Sequence, residues 1–223
     1  MISLNHLNTI SKCDMPVEQS KKIDIDLYSL KQEIDFLWNS LIDLKEPGNS
    51  RRLSAFWNIV TYGRMVTFHM QNLLRGVKGF EEWYSVKQKE MAGDELLEFF
   101  KKLRNRIEKE KLVRPSNVTY ISHLEFPKDL NRFGPPPPRA NGFFIGDKYG
   151  GSGWYVEGPN GKRFKIYVNL PSDMGSTWMT LENIPHKHKG MEIDDSSLES
   201  ICTLYIDYLN SIVEEAIDRF RMK

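Results

Sequence analysis

Only two cysteines stand in 223 residues, Cys13 in a polar N-terminal stretch and Cys202 near the other end. That scarcity argues against a disulfide framework and against a cysteine-built zinc site, and free thiols fit a reducing compartment. Long hydrophobic runs are also missing: no window approaches the roughly 18 apolar residues that a bilayer-spanning helix needs. The N-terminus lacks the basic-then-apolar order of a secretory signal. Excess charge of one sign is absent as well, since thirty-one Lys and Arg nearly cancel thirty Asp and Glu to leave +1. This removes any global electrostatic case for nucleic acid or membrane and leaves only local patches. The expectation is a cytoplasmic protein with no membrane partner.

Chemical signatures are equally sparse. The segment GDKYGGSGW, Gly146 to Trp154, leads into a strand pattern instead of opening a helix, and its spacing matches neither a phosphate loop nor a dinucleotide fingerprint. It reads as a hairpin or substrate-facing loop. Ser152 and Cys202 lie in no nucleophile motif. His186 and His188, in PHKHKG, alternate along an extended segment, but lysines flank them and no nearby Cys or carboxylate completes a ligand set. Neither metal nor other cofactor is expected. Pro135 to Pro138 form a stiff spacer.

What the sequence does contain is an architecture. After a loose arm at residues 1–22, Leu27, Leu30, Ile34, Leu37, Leu41 and Leu44 recur at three- and four-residue steps from Asp24 onward, the signature of one helix face. Pro47 and Gly48 end it, and Asn49 or Ser50 can cap a second helix rich in aromatics. A third, shorter helix runs from Phe80 to near Gly93, and Asp94 caps a fourth reaching about Lys111. The period then switches to strands: NVTYISHLEF, GFFIGD, GWYVEG, RFKIYVNL and TWMTLEN. Asn160-Gly161, between the third and fourth, is the pair best suited to a type I′ hairpin. A long amphipathic helix from about Leu198 closes the chain. The expected fold is α+β: a helical bundle at 23–115, a small antiparallel β-sheet inserted at 116–190, and a C-terminal helix at 191–223 that packs back on the bundle.

Within the fourth helix, FFKKLRNRIEKEK places Arg104 inside the apolar arc, between Phe100 and Leu97, when residues advance about 100° each. A buried stem with an outward guanidinium, or a pair with a neighbouring carboxylate, explains this structurally; an anionic ligand explains it functionally. The run from Lys101 to Arg114 is basic, and its ordinary role is a solvated face with i to i+4 pairs, its functional one a phosphate-contact surface. Lys148 and Trp154 offer a further cation and an aromatic platform near the glycine-rich loop. His69 is the one helical histidine with access to a bundle cleft.

A bundle of about four helices carrying an arginine followed by a polar residue, Arg104-Asn105, resembles HEPN domains, a helical group that includes many RNA-cleaving toxins. The family motif continues with a histidine four to six residues further on, where this chain has Lys109, Glu110 and Lys111. Cleavage by that route needs a proton acceptor and donor near neutral pH, suited to imidazole, whereas arginine alone only stabilises developing charge. The resemblance therefore implies a non-catalytic or weakly catalytic interaction module that has lost its acid/base residue and binds RNA or a partner protein. The binding candidates are Lys101, Arg104, Asn105, Lys148 and Trp154. The alternative is an enzyme, a metal-independent ribonuclease or other hydrolase, with His69 or His123 and Arg104 between bundle and insertion. A structural homodimer joined through aromatic helix faces is the third reading.

Overall fold

The computed structural model describes residues 17–110 and 113–221, with side chains from residue 27 onward. Five α-helices make the frame: α1 (Val17–Lys45), α2 (Arg52–Leu74), α3 (Phe80–Gly93), α4 (Glu95–Glu110) and α5 (Leu198–Phe220). The leucine stripe of α1 is buried along its length and packs against α2 and α5. The last helix returns to the N-terminal helices, as its apolar face requires. One core results, in which Phe56, Phe100, Ile206 and Val213 are all fully enclosed.

Local chemistry sets the helix ends. Helix α1 begins seven residues before the expected Asp24 and so takes in part of the stretch read as an arm; residues 1–16 lie outside the described chain. Arg51 occupies the cap position of α2 with no side-chain cap, while the Asn49 carboxamide oxygen accepts the Arg51 amide at 2.9 Å. Asp94 performs its expected duty on α4, accepting the Leu97 amide at 3.0 Å. Helix α5 is capped by Ser197, whose hydroxyl accepts the Ser200 amide at 3.2 Å.

The β segments lie where the sequence pattern puts them, but they form three small antiparallel sheets and not one. Strand β1 (Ser116–Ile121) pairs with β5 (Gly175–Thr180). Strands β2 (Ala140–Phe144), β3 (Ser152–Glu157) and β4 (Arg163–Val168) form a meander. A hairpin of β6 (Lys187–His188) and β7 (Met191–Glu192) completes the set, turning on Lys189 and Gly190, both at positive φ. Between β3 and β4, Asn160 and Gly161 have φ of 64° and 71°, and the Lys162 amide donates to the Pro159 carbonyl. That is the type I′ geometry expected of the pair.

One buried ion pair joins the sheets to the bundle. Arg52, only 2% exposed, donates Nε to the Leu44 carbonyl at 2.8 Å and Nη1 to Asn117 Oδ1 at 2.7 Å and to the Tyr149 carbonyl at 3.0 Å. Its Nη2 donates to Glu199 Oε1, and Glu199 also accepts the Met179 amide. One guanidinium thus holds the end of α1, β1, the β2–β3 loop and, through Glu199, α5 and β5. Burial drives the Glu199 carboxyl up and the Arg52 guanidinium down. A guanidinium does not give up its proton in proteins, and both Glu199 carboxyl oxygens accept hydrogen bonds, which favours the charged form against burial. Gly48 completes the joint: its φ is 81°, its amide donates to the Tyr149 carbonyl, and a Cβ there would sit 2.5 Å from the Tyr167 ring.

Candidate functional site

Four helices enclose a cavity of about 280 Å³ beside Arg104. Helix α4 supplies Leu97, Glu98, Phe100, Lys101 and Arg104; α2 supplies Val60, Arg64 and Thr67; α3 supplies Tyr84, Gln88, Met91 and Ala92; α5 supplies Tyr205 and Leu209. One wall is therefore apolar and aromatic, while two guanidiniums and two phenols reach the same space. Such a mixture, mostly apolar with a few convergent polar groups, is the usual make-up of a ligand pocket.

The polar groups are positioned from below. Tyr205 stacks flat on Phe100, ring centroids 3.9 Å apart and 7° from parallel. It fits because α2 has Gly63 opposite: a Cβ there would lie 2.5 Å from Tyr205 Cε1 and 2.7 Å from its hydroxyl. Burial pushes the Tyr205 phenol up, while Arg64 and Arg104 both act on it in the opposite sense. Both phenols stay protonated donors. Tyr84 is raised likewise by burial, against the pull of Arg64, and its hydroxyl accepts from Gln71 Nε2 at 2.9 Å. Arg64 Nη1 donates to Thr67 Oγ1 at 3.0 Å, which orients its fork.

Arg104 is the group with unmet capacity. Its Nη1 reaches Glu108 Oε1 at 3.3 Å in an exposed, long contact of the i to i+4 kind, worth a few tenths of a kcal/mol at about 0.3–0.5. Its Nε is buried and has no acceptor among the described residues. An unsatisfied buried donor on a charged group costs on the order of 1–3 kcal/mol. The helical-wheel position of Arg104 is thus realised: stem among Phe100 and Leu97, guanidinium in the cavity wall.

The other sequence candidates divide. Lys101 lines the same cavity and pairs with Glu98 at 3.0 Å. Asn105 is half-buried and is not part of the lining. His69 does not reach the cavity. It stands five residues beyond Arg64, roughly 140° round the helix, and its Nδ1 lies 2.6 Å from Glu33 Oε1 on the seam with α1. His123 is exposed in the loop after β1, 3.8 Å from Asp129. The expected pairing of His69 or His123 with Arg104 is therefore not assembled. Lys148 sits in the β2–β3 loop with its Nζ 4.7 Å over the Tyr149 ring. Trp154 is no platform for a base: at 7% exposed it packs edge-on against Phe143.

The two histidines of PHKHKG also separate. His188 is buried, its Nδ1 3.1 Å from both oxygens of Asp94, with the Tyr208 ring edge-on at 5.8 Å. His186 lines a groove of about 550 Å³ between α4 and residues 182–186, together with Lys102, Arg106, Glu95 and Glu182. Among the described residues no cluster of His, Cys, Asp or Glu has the arrangement to hold a metal ion.

Sequence reasoning missed Arg64, Tyr84 and Tyr205. Arg64 carried a signal: it is one of only two charged residues in the 23 of α2, the other being the buried Arg52. The two tyrosines read as ordinary core. Their convergence depends on which helices touch.

The sequence profile of a family described as bacteriophage lambda protein ea47 matches residues 45–117, from the end of α1 through α4 into β1. That stretch includes Arg64, Tyr84 and Arg104 and stops short of Tyr205 on α5. No curated protein and no solved structure matches the chain. Among the described residues, no helix is long and apolar enough to cross a membrane.

Proposed function

We propose that this protein is a non-catalytic binding module whose helical cavity takes the phosphate of a nucleotide, free or at the end of an RNA strand. The observation that carries the reading is the buried, acceptor-less Nε of Arg104 in a wall shared with Arg64. Guanidinium forks match phosphate oxygens in pairs. Met91, Leu97 and Leu209 give the cavity an apolar lining on which the body of a nucleotide behind the phosphate can rest. Among the described residues no histidine lines the cavity, and imidazole is the side chain best suited to proton transfer near neutral pH.

Calorimetric titration with nucleoside monophosphates and with 5′-phosphorylated and 5′-hydroxyl oligoribonucleotides tests it. The phosphorylated ligands bind, and Arg104→Ala weakens them by at least about tenfold, the worth of a charge-assisted bond pair. Binding that is indifferent to the phosphate, or unchanged in Arg104→Ala, refutes the reading. Hydrolysis of the oligonucleotide, lost in Arg104→Ala, would restore an enzyme in its place.

A further inference from the structure

Positive charge gathers on the meander of β2, β3 and β4. Residues 139–168 carry five cations, Arg139, Lys148, Lys162, Arg163 and Lys165, against the acids Asp147 and Glu157, in a chain whose total is only +1. Asp147 holds Lys165 at 2.6 Å. Among the described residues no carboxylate pairs with the other four cations, and all four are exposed. Lys148 leans over Tyr149, and Lys162 leans over Phe164, which alternation puts on the face opposite to Arg163. Arg163 is placed differently. Its Cζ lies 3.9 Å over the Tyr155 ring centroid, and its Nη2 comes within 3.1 Å of the point where a Cβ would stand on Gly142. Rooted in β4, the guanidinium crosses β3 and reaches β2, where it lies down because Gly142 has no side chain. Lys165 shares this face, its Nζ 4.7 Å over Phe144 and 5.8 Å from the Tyr155 ring centroid. Arg139 precedes Ala140, which is level with Val156 and Phe164, and so stands at the same end of the sheet as Arg163.

We infer that this face binds a single-stranded polynucleotide, with a base stacked on the Arg163–Tyr155 pair and the adjoining phosphates met by Lys165 and Arg139. Because Arg163 stays exposed, the side of its guanidinium turned away from Tyr155 is an open cationic plane. Unpaired bases stack on guanidinium planes and aromatic rings with little regard to sequence. Other occupants fit this geometry less well. A carboxylate binds a guanidinium through its N–H edge, and part of that edge lies against Gly142. A duplex keeps its base faces inside its own stack, and a second copy laid face to face would set Arg163 and Lys165 against the same cations. The sheet reads the body of a strand, whereas the cavity reads a terminal phosphate, so neither site depends on the other.

Calorimetric titration at low salt with an oligouridylate of about 12 nucleotides that carries no terminal phosphate reads the outcome. The wild type binds this strand and prefers it to a duplex of the same length. Arg163→Ala weakens binding about tenfold or more, the worth of a stacked base. Arg163→Lys keeps the charge but not the plane and weakens it nearly as much. Lys162→Ala, which removes an exposed cation from the opposite face, changes binding by less than about twofold. Failure to bind the single strand, a duplex that binds as tightly, or an Arg163→Lys protein that binds like the wild type overturns the proposal. Equal losses in Lys162→Ala and Arg163→Ala overturn it as well, since net charge alone would then explain the binding. The probe has no terminal phosphate, so a failed cavity leaves this result standing, and a failed sheet leaves the phosphate dependence at Arg104 standing.

Discussion

Replacing Arg52 by methionine strips the Glu199 carboxylate of its cation while the carboxylate stays almost wholly enclosed. An uncompensated buried charge costs about 3–5 kcal/mol, whereas apolar replacement of both partners is near neutral. Urea titration should therefore show Arg52→Met strongly destabilised and Arg52→Met/Glu199→Leu largely recovered; equal losses in both would refute the pair's role. Gly63 makes a second residue-scale prediction. A methyl group there meets Tyr205, whose ring cannot retreat because Phe100 lies flat against its other face. Gly63→Ala should cost about 1–3 kcal/mol of stability by overpacking and, by displacing the Tyr205 hydroxyl, weaken ligand binding as well. A variant with native stability and native affinity would mean that Tyr205 does not help shape the cavity.

Between elements, Asp94 is the link, since it caps α4 and also holds the β6–β7 hairpin through His188 and the Lys189 amide. Burial by itself would raise this carboxyl, but the donors from Lys189, His188 and Leu97 outweigh it and hold it below the ordinary carboxylate value. A folded value below the unfolded one gives stability that is present above the unfolded value and is lost as pH falls through the folded one. Thermal melts from about pH 6 down to pH 2 should show an acid-side decline that is shallower in Asp94→Asn. Parallel curves for the two proteins would contradict the assignment. At the far end of the chain, Ser197→Ala removes the cap of α5 and should cost about 1 kcal/mol, read as a shift in urea midpoint without a change in slope.

At the scale of the whole molecule, the Arg52 joint decides whether bundle and sheets unfold together. Tryptophans report on both parts, Trp38, Trp57 and Trp83 in the bundle, Trp154 in the meander and Trp178 in β5, while far-ultraviolet dichroism is dominated by the helices. Fluorescence and dichroism should therefore give coincident urea transitions in the wild type. They should separate in Arg52→Met, with the fluorescence change beginning earlier as the meander detaches. Coincidence in the variant would mean that the remaining contacts, including Gly48 against Tyr167, suffice to couple the two parts.

The order of helices and strands was legible in the chain because it is written in local period: the α1 leucines, the alternation in RFKIYV, the Asn160-Gly161 pair and the Asp94 cap each act within a few residues. The position of Arg104 beside Phe100 and Leu97 was legible for the same reason. Tertiary structure alone decided that Arg104 shares its space with Arg64 and Tyr205, that Arg52 closes on a carboxylate 147 positions away, and that His69 faces α1 and not the cavity. Which side of one helix meets which side of another depends on the packing of the complete core, a property no short window of sequence contains. By itself the sequence determined a set of faces that had to be buried; the assembled fold determined which polar groups those burials brought together.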